Sequence, residues 1–416
     1  MDWKPRLNLS HLSGKLIASV LLFALAATAA VDPVQGGDNL ERLSIVPLEI
    51  RDIAWDRRLY DGTIGDAVSW RHNPTNKPVD VNLFEFLTAV QKGFAVWSAL
   101  DDFLNMPPLI PEFLFGGFTT VTRAGAIDGI NAIVWQNLGT TGILAITPCT
   151  SLTEPSTTTT GPFGGTRLPI GDGRSIPFPG PPGVTYPAGT IIDCGIAFNT
   201  NAPWVNSGGS AGFDMQSVAT HEIGHLLGLS HSTVGLSTAD SSDDATMIPF
   251  ADNTDNLRSP KYEDLASVFR TYLRTNGLER TLGGFATIVG RIQAGPDCQN
   301  ATGVSVRAYE ATTGFEGSLV VETFSGSNLR QGLPHEPFDG SFELNVLPGV
   351  AYTLATTTLV PDLTAPFSSF RFNPTTIFSN TKTEESIVTD QLLEVGPLSP
   401  GEVLDVGDLG ILGCTP

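Results

Sequence analysis

The chain has 416 residues, 41% hydrophobic and 16% charged, enough apolar material for two or three packed domains and too much for a disordered polymer. Its formal net charge of −20 argues against nucleic acid or an anionic membrane as a partner, since both would repel it.

Lys4, Arg6 and Lys15 precede and flank an apolar run from Leu16 to Ala30 that contains Ala27-Thr28-Ala29, the pattern of a secretory signal peptide at residues 1–29. The run falls short of the ~20 residues that span a bilayer. Nothing later is longer, so the expectation is a secreted, extracellular protein without a membrane span. Cys149, Cys194, Cys298 and Cys414 are an even number, and in an exported chain they read as two disulfides. Three connectivities are open, and pairing within each half, Cys149 with Cys194 and Cys298 with Cys414, is the economical one. No close cysteine pair supports a zinc cluster.

Residues 30–60 read as a mixed N-terminal segment, and a folded domain is expected over 61–277. Asp66 to Arg71 suits a strand, with Val68 and Trp70 alternating against polar neighbours. Leu83, Phe86, Leu87, Val90, Phe94, Trp97 and Leu100 recur at the helical period. Strands are expected at Thr119 to Arg123, Ile130 to Trp135, Ile143 to Thr147 and Thr190 to Phe198, with a turn at Asp128-Gly129. Residues 150–189 are rich in Thr, Pro and Gly and read as a long loop insertion without regular core elements. Gly171-Asp172-Gly173 and Asp193 are candidate Ca²⁺ ligands, with turn chemistry an equal explanation. His72 and His335 stand alone and receive no role.

The stretch His221-Glu222-Ile223-Gly224-His225-Leu226-Leu227-Gly228-Leu229-Ser230-His231 carries the chemistry. Residues four apart on a helix share a face, so His221 and His225 present two imidazoles to one point. Glu222 is one step round the helix, placed to touch a water there as general base. Asp214 is the expected N-cap, and Met215, Val218, Ala219, Ile223, Leu226 and Leu227 form the buried stripe. Gly228, free of a Cβ, can take the left-handed conformation that ends the helix and returns His231 to the same point. Three imidazoles leave the fourth position of a tetrahedral Zn²⁺ to water, the arrangement of a catalytic rather than a structural site. A buried helix that happens to carry two histidines would be the bland explanation, but it does not account for Gly228 and His231.

This signature resembles that of the metzincin metalloendopeptidases. Ser232 after the third histidine, and Ala245-Thr246-Met247-Ile248-Pro249-Phe250, similar to a Met-turn, point to the matrixin branch, which includes the matrix metalloproteinases. The resemblance implies an α+β fold with a twisted sheet packed on helices, an edge strand that pairs with extended substrate, one catalytic Zn²⁺ and protein or peptide substrates. It implies that Met247 underlies the zinc site. It also implies that Glu263 and Asp264, in a last helix near Glu263 to Tyr272, anchor the Met-turn region and the mature N-terminus. Two departures stand out. No Cys precedes residue 149 to serve as the latency ligand of matrix metalloproteinases, and no histidine between His72 and His221 offers itself to a second, structural zinc.

After Tyr272 the pattern becomes β-rich, with runs at Phe285 to Ile292, Gly303 to Glu310, Ser318 to Thr323, Ser341 to Leu347 and Ala351 to Thr356. A β-sandwich is expected over 284–416, similar in its turn motifs to transthyretin-like carboxypeptidase regulatory domains. The expected function is a secreted zinc endopeptidase; the rival is an inactive secreted binding or adhesion protein that works through the β-sandwich. The sequence sets no oligomeric state.

Overall fold

The first sheet follows from strict alternation in a short segment: β1 (Val68–His72) buries Val68, Trp70 and His72 and exposes Ser69 and Arg71. The computed structural model describes residues 54–60, 64–65, 67–99, 110–139, 142–171, 173–207, 212–229, 231–232, 245–248, 251, 254–261, 263–264, 267–268, 271–272, 286–301, 304–311, 320–324, 340–357, 392–411 and 413–414. The expected signal peptide, His335, Pro249, Phe250 and Asp172 lie outside the described residues.

Helix α1 (Leu83–Ser98) follows β1, with the Asn82 side chain accepting from the N–H groups of Phe84 and Glu85 as N-cap. Next come β2 (Phe113–Phe118), β3 (Asn131–Gln136) and β4 (Ala145–Ile146). The expected strand at Thr119 to Arg123 is not present. The strand lies just before it, in Phe113–Phe118, whose near-continuous apolar and glycine residues hid the alternation. With β12 (Ile196–Asn199) these strands form a five-stranded sheet of order β2-β1-β3-β12-β4, parallel except for β4, which runs antiparallel at one edge. Phe86, Val90, Phe94 and Trp97 of α1 are buried. Their rings meet the sheet, Phe94 stacked on Trp70 at 5.2 Å and Phe86 beside Trp135 at 4.7 Å and Phe198 at 4.9 Å.

Residues 150–189 depart from the loop expectation. They hold a two-stranded antiparallel sheet of β6 (Ser156–Thr157) with β10 (Thr185–Tyr186), and a three-stranded sheet of β7 (Thr159–Thr160), β8 (Thr166–Pro169) and β9 (Ser175–Pro177). Leu168, Ile176, Phe178 and Tyr186 are buried and join the main core. These strands run only two to four residues between turns, too short to show a period in sequence. Flanking them, β5 (Cys149–Ser151) pairs antiparallel with β11 (Ile191–Cys194), and the Cys149–Cys194 disulfide joins directly opposed residues. The segment set apart as residues 30–60 also contributes: Ala54, Trp55, Leu59 and Tyr60 belong to the same core.

Farther along, β13 (Trp204–Val205) and β14 (Phe213–Asp214) lead into helix α2 (Met215–Leu226). The two helices cross at Gly93, where a Cβ would come within 2.9 Å of Ile223 Cδ1 and 3.2 Å of the Thr220 amide nitrogen. Trp97 Nε1 donates to the Thr220 carbonyl at 2.9 Å across the same crossing.

The C-terminal region consists of β15 (Ala286–Ala294), β16 (Gln299–Asn300), β17 (Ser305–Glu310), β18 (Val320–Phe324), β19 (Ser341–Val346), β20 (Tyr352–Thr357), β21 (Leu393–Val395) and β22 (Val403–Ile411). They make two four-stranded sheets, one of β16-β15-β19 with β22 beside β15, the other of order β18-β17-β20-β21. One hydrophobic cluster takes in Ile288, Ile292, Phe342 and Leu344 of the first and Val306 and Leu354 of the second. A Cys298–Cys414 disulfide is present.

His72, given no role in the sequence reading, is fully buried between Phe86 and Phe118, and its Nδ1 donates to the Ile133 carbonyl at 2.8 Å. Burial pushes its pKa down to about 4, against that hydrogen bond. The unfolded chain therefore takes up this proton near pH 6.5 and the native chain only near pH 4, so stability is full above 6.5 and falls as pH drops across that window. The loss amounts to at most roughly 3 kcal/mol. Unfolding of His72→Phe followed from pH 7 to 4 is expected to show a correspondingly shallower acid loss than the native chain; parallel curves would contradict this.

Candidate metal centre

The Asp214 carboxylate starts the metal-facing helix, accepting from the Ser217 N–H at 2.8 Å. Arg258, not singled out from the sequence, donates from Nε to Asp214 Oδ1 at 2.9 Å and pairs with Oδ2 through its second nitrogen, so the cap is itself held by a two-pronged ion pair. At the other end α2 stops as its glycine dictates. Gly228 has φ +96°, its N–H donates to the His225 carbonyl at 2.9 Å, and the Leu229 N–H donates to the Gly224 carbonyl at 3.0 Å, the paired bonds of a Schellman turn. The last carbonyls are satisfied from elsewhere in the chain: Trp55 Nε1 donates to Leu226 at 2.9 Å and the Tyr272 hydroxyl to Leu227 at 3.0 Å.

The same turn sets the histidines. His225 Nδ1 donates to the Leu229 carbonyl at 2.8 Å, and His221 Nδ1 donates to the Thr246 carbonyl at 2.7 Å. With the ring protons committed at Nδ1, the Nε2 atoms present lone pairs. His225 Nε2 lies 3.1 Å from His221 Nε2 and 3.2 Å from His231 Nε2. Burial drives all three pKa values down, His221 to about 3 with the neighbouring His225 adding to the effect, so the rings are neutral near pH 7. Three part-buried lone pairs, all within 4.8 Å of one another, repel unless a cation stands between them. Nitrogen ligands at 2.0–2.1 Å in a tetrahedral zinc site are spaced by about 3.3 Å, so the triad fits such an ion. Among the described residues this is the one cluster of three or more His, Cys, Asp or Glu side chains able to hold a metal.

Glu222 is 4% exposed, and burial pushes its carboxyl up to about 7, against a hydrogen bond from the Thr147 hydroxyl. That hydroxyl lies 2.5 Å from Glu222 Oε2 and 3.1 Å from the Glu222 carbonyl. Thr147 is 75 residues away in sequence, and no local pattern marks it.

Met247 is 2% exposed and packs against α2 at Gly224, which gives it room: a Cβ there would stand 2.1 Å from Met247 Sδ. Asp264 holds this turn. Its carboxylate accepts from the N–H groups of Thr246 at 2.7 Å, Met247 at 2.9 Å and Lys261 at 2.7 Å, while burial raises its pKa against those three donors. Glu263 is buried beside it. The Ser232 N–H donates to the Met247 carbonyl at 2.9 Å, stitching the segment after His231 to the same turn. Of the candidate calcium residues, Asp193 is buried and accepts from the N–H groups of Asp128 and Gly129 at 3.0 and 2.7 Å, which is turn chemistry.

Residues 171–272 match the family model described as Matrixin. A curated relative, Metalloendoproteinase 1 of Glycine max, is 43% identical over 67 residues, which are 15% of this chain and 22% of that protein. The chain thus spans about a fifth of that relative's length. Among solved structures, a 9R-lipoxygenase from Cyanothece PCC8801 is 12% identical, with a TM-score of 0.17 over 30% of this chain and 16% of that one. The dioxygenase domain of a carbohydrate-binding fusion protein from Streptomyces sp. SirexAA-E is 18% identical, with a TM-score of 0.14 over 32% and 82%. Scores this low say nothing about the fold. The family match and the plant relative support a matrixin-like relative and point to a metalloprotease family, which in general depends on zinc.

Two substitutions test the packing and anchoring of the turn at Thr246 and Met247. Gly224→Ala is expected to force Met247 aside, costing about 1–3 kcal/mol of stability and weakening zinc binding. Asp264→Ala leaves three backbone donors without their acceptor and is expected to cost at least about 3 kcal/mol. Calorimetry and zinc titration of both variants check this; native stability and affinity in either would contradict the corresponding contact's role.

Proposed function

We propose that the chain is a secreted zinc metalloendopeptidase. The observation that carries the reading is the convergence of three uncharged imidazole nitrogens beside one buried carboxylate, on a helix whose segment matches the matrixin model. A zinc ion held by His221, His225 and His231 would polarise the scissile carbonyl and acidify the attacking water. Glu222 takes the proton of that water on a carboxylate oxygen and returns it to the amine nitrogen as the C–N bond breaks. A carboxyl held near neutrality by burial is suited to both transfers.

The edge strand β4 is the surface for substrate. It pairs with β12 on one side, stands last in the sheet order and carries the exposed Ile146 beside the exposed Ile143. An extended peptide can add to such an edge, its main chain hydrogen-bonded and its side chains alternating. Export is supported by the two disulfides, and no helix among the described residues is long and apolar enough to cross a membrane. The paired C-terminal sheets serve in this reading as an accessory β-sandwich, since no metal-binding cluster lies there among the described residues.

Hydrolysis of denatured casein by the zinc-loaded chain is expected, and a chelator is expected to abolish it. Glu222→Gln should keep the fold and one zinc per chain while losing activity roughly 100- to 10,000-fold. Undiminished cleavage by that variant would remove the base assignment, and no cleavage by the zinc-loaded native chain would favour a binding protein.

A further inference from the structure

Thr147 is joined to Glu222 by a contact that the proposed chemistry has not used. Its hydroxyl sits 2.5 Å from Oε2, the length of an O–H···O⁻ bond to an ionised carboxylate, while Oε1 accepts no hydrogen bond among the described residues. Thr147 is also held in place from both sides. The preceding Ala145 and Ile146 are paired with Phe198 and Ala197, and Pro148 restricts Thr147 to extended backbone. The Pro148 carbonyl accepts from the Gly195 N–H at 3.2 Å, its ring fills the space over Gly125, and Cys149 is bonded to Cys194. The hydroxyl is therefore offered by a segment bolted to β11 and β12, and its bond to Glu222 does not depend on a mobile side chain finding its place.

We infer that Thr147 is a positioning residue for the general base: its hydroxyl pins Oε2 and fixes the carboxylate rotamer, leaving Oε1 as the oxygen that exchanges the proton with water and leaving amine. The inference rests on the zinc peptidase reading. It also ties the base to the strand proposed to take substrate, since Thr147 directly follows β4. A peptide adding to β4 would lie along the segment that holds the base, so that binding and proton transfer share one rigid support.

The test compares Thr147→Val, which keeps the shape and removes the hydroxyl, with Thr147→Ser, which keeps the hydroxyl and removes the methyl, both in the full zinc-loaded chain. Zinc content and thermal unfolding are measured alongside kcat and KM on a fluorogenic peptide that the native chain cleaves. Thr147→Val is expected to bind one zinc, to lower kcat roughly ten- to a hundredfold and to leave KM within about twofold, while Thr147→Ser stays within about threefold of native kcat. A native kcat in Thr147→Val, or a serine variant as impaired as the valine one, overturns the assignment, the second result showing that packing of the methyl is what matters. A native chain that binds zinc and cleaves no peptide overturns the peptidase reading itself, and the role of Thr147 with it.

Discussion

Three neutral imidazole nitrogens in a part-buried site, with His225 Nε2 about 3 Å from each of the other two, set the terms for the rest of the molecule. Their lone pairs repel, and burial denies them the protons that could relieve it. Such an arrangement persists only where the surroundings over-determine it. Each of the first two rings is locked through Nδ1 to a carbonyl, one in the turn that ends the helix and one at Thr246 in the turn before Ile248. Those carbonyls are fixed in turn, the first by the Schellman bonds around Gly228 and the second by the Asp264 carboxylate gripping the amides of Thr246 and Met247.

The second constraint is space. Helix α2 lies between α1 on one side and Met247 on another, and both approaches occur at glycines. Gly93 lets the helices cross closely enough for Trp97 to reach the Thr220 carbonyl, and Gly224 admits the methionine sulfur. Each glycine costs helix propensity of about 1 kcal/mol, and tight packing offsets it. Trp55 and Tyr272, far before and after α2 in sequence, close over its C-terminal carbonyls, so both segments depend on where this helix stops.

How much of this was legible in the sequence differed with the range of the interaction. Local rules carried the Asp214 cap, the Gly228 stop, the histidine spacing and the β1 alternation, because each is decided within a few residues. The Asp264 anchor was reachable only through family resemblance, and the structure puts that carboxylate on the Met-turn amides. Contacts across long separations left no trace in composition or period. Thr147 meets Glu222 from 75 residues away, and Arg258 meets Asp214 from 44. The small β-sheets in residues 150–189 escaped for another reason: their apolar residues, Leu168, Ile176, Phe178 and Tyr186, are separated by turns, and only the folded chain gathers them.

The disulfide Cys149–Cys194 lies where these threads meet, joining β5, two residues after Thr147, to the strand feeding the sheet's last parallel member. Scaffold, proposed base and proposed substrate edge are thereby one connected body built around the triad. X-ray absorption at the zinc edge on the zinc-loaded full chain tests its centre most directly. The account predicts one zinc per chain with three imidazole nitrogens at about 2.0–2.1 Å and one further oxygen from water, and loss of that spectrum in His225→Ala. A site closed by four protein ligands, a sulfur ligand, or zinc retained unchanged in that variant would contradict it.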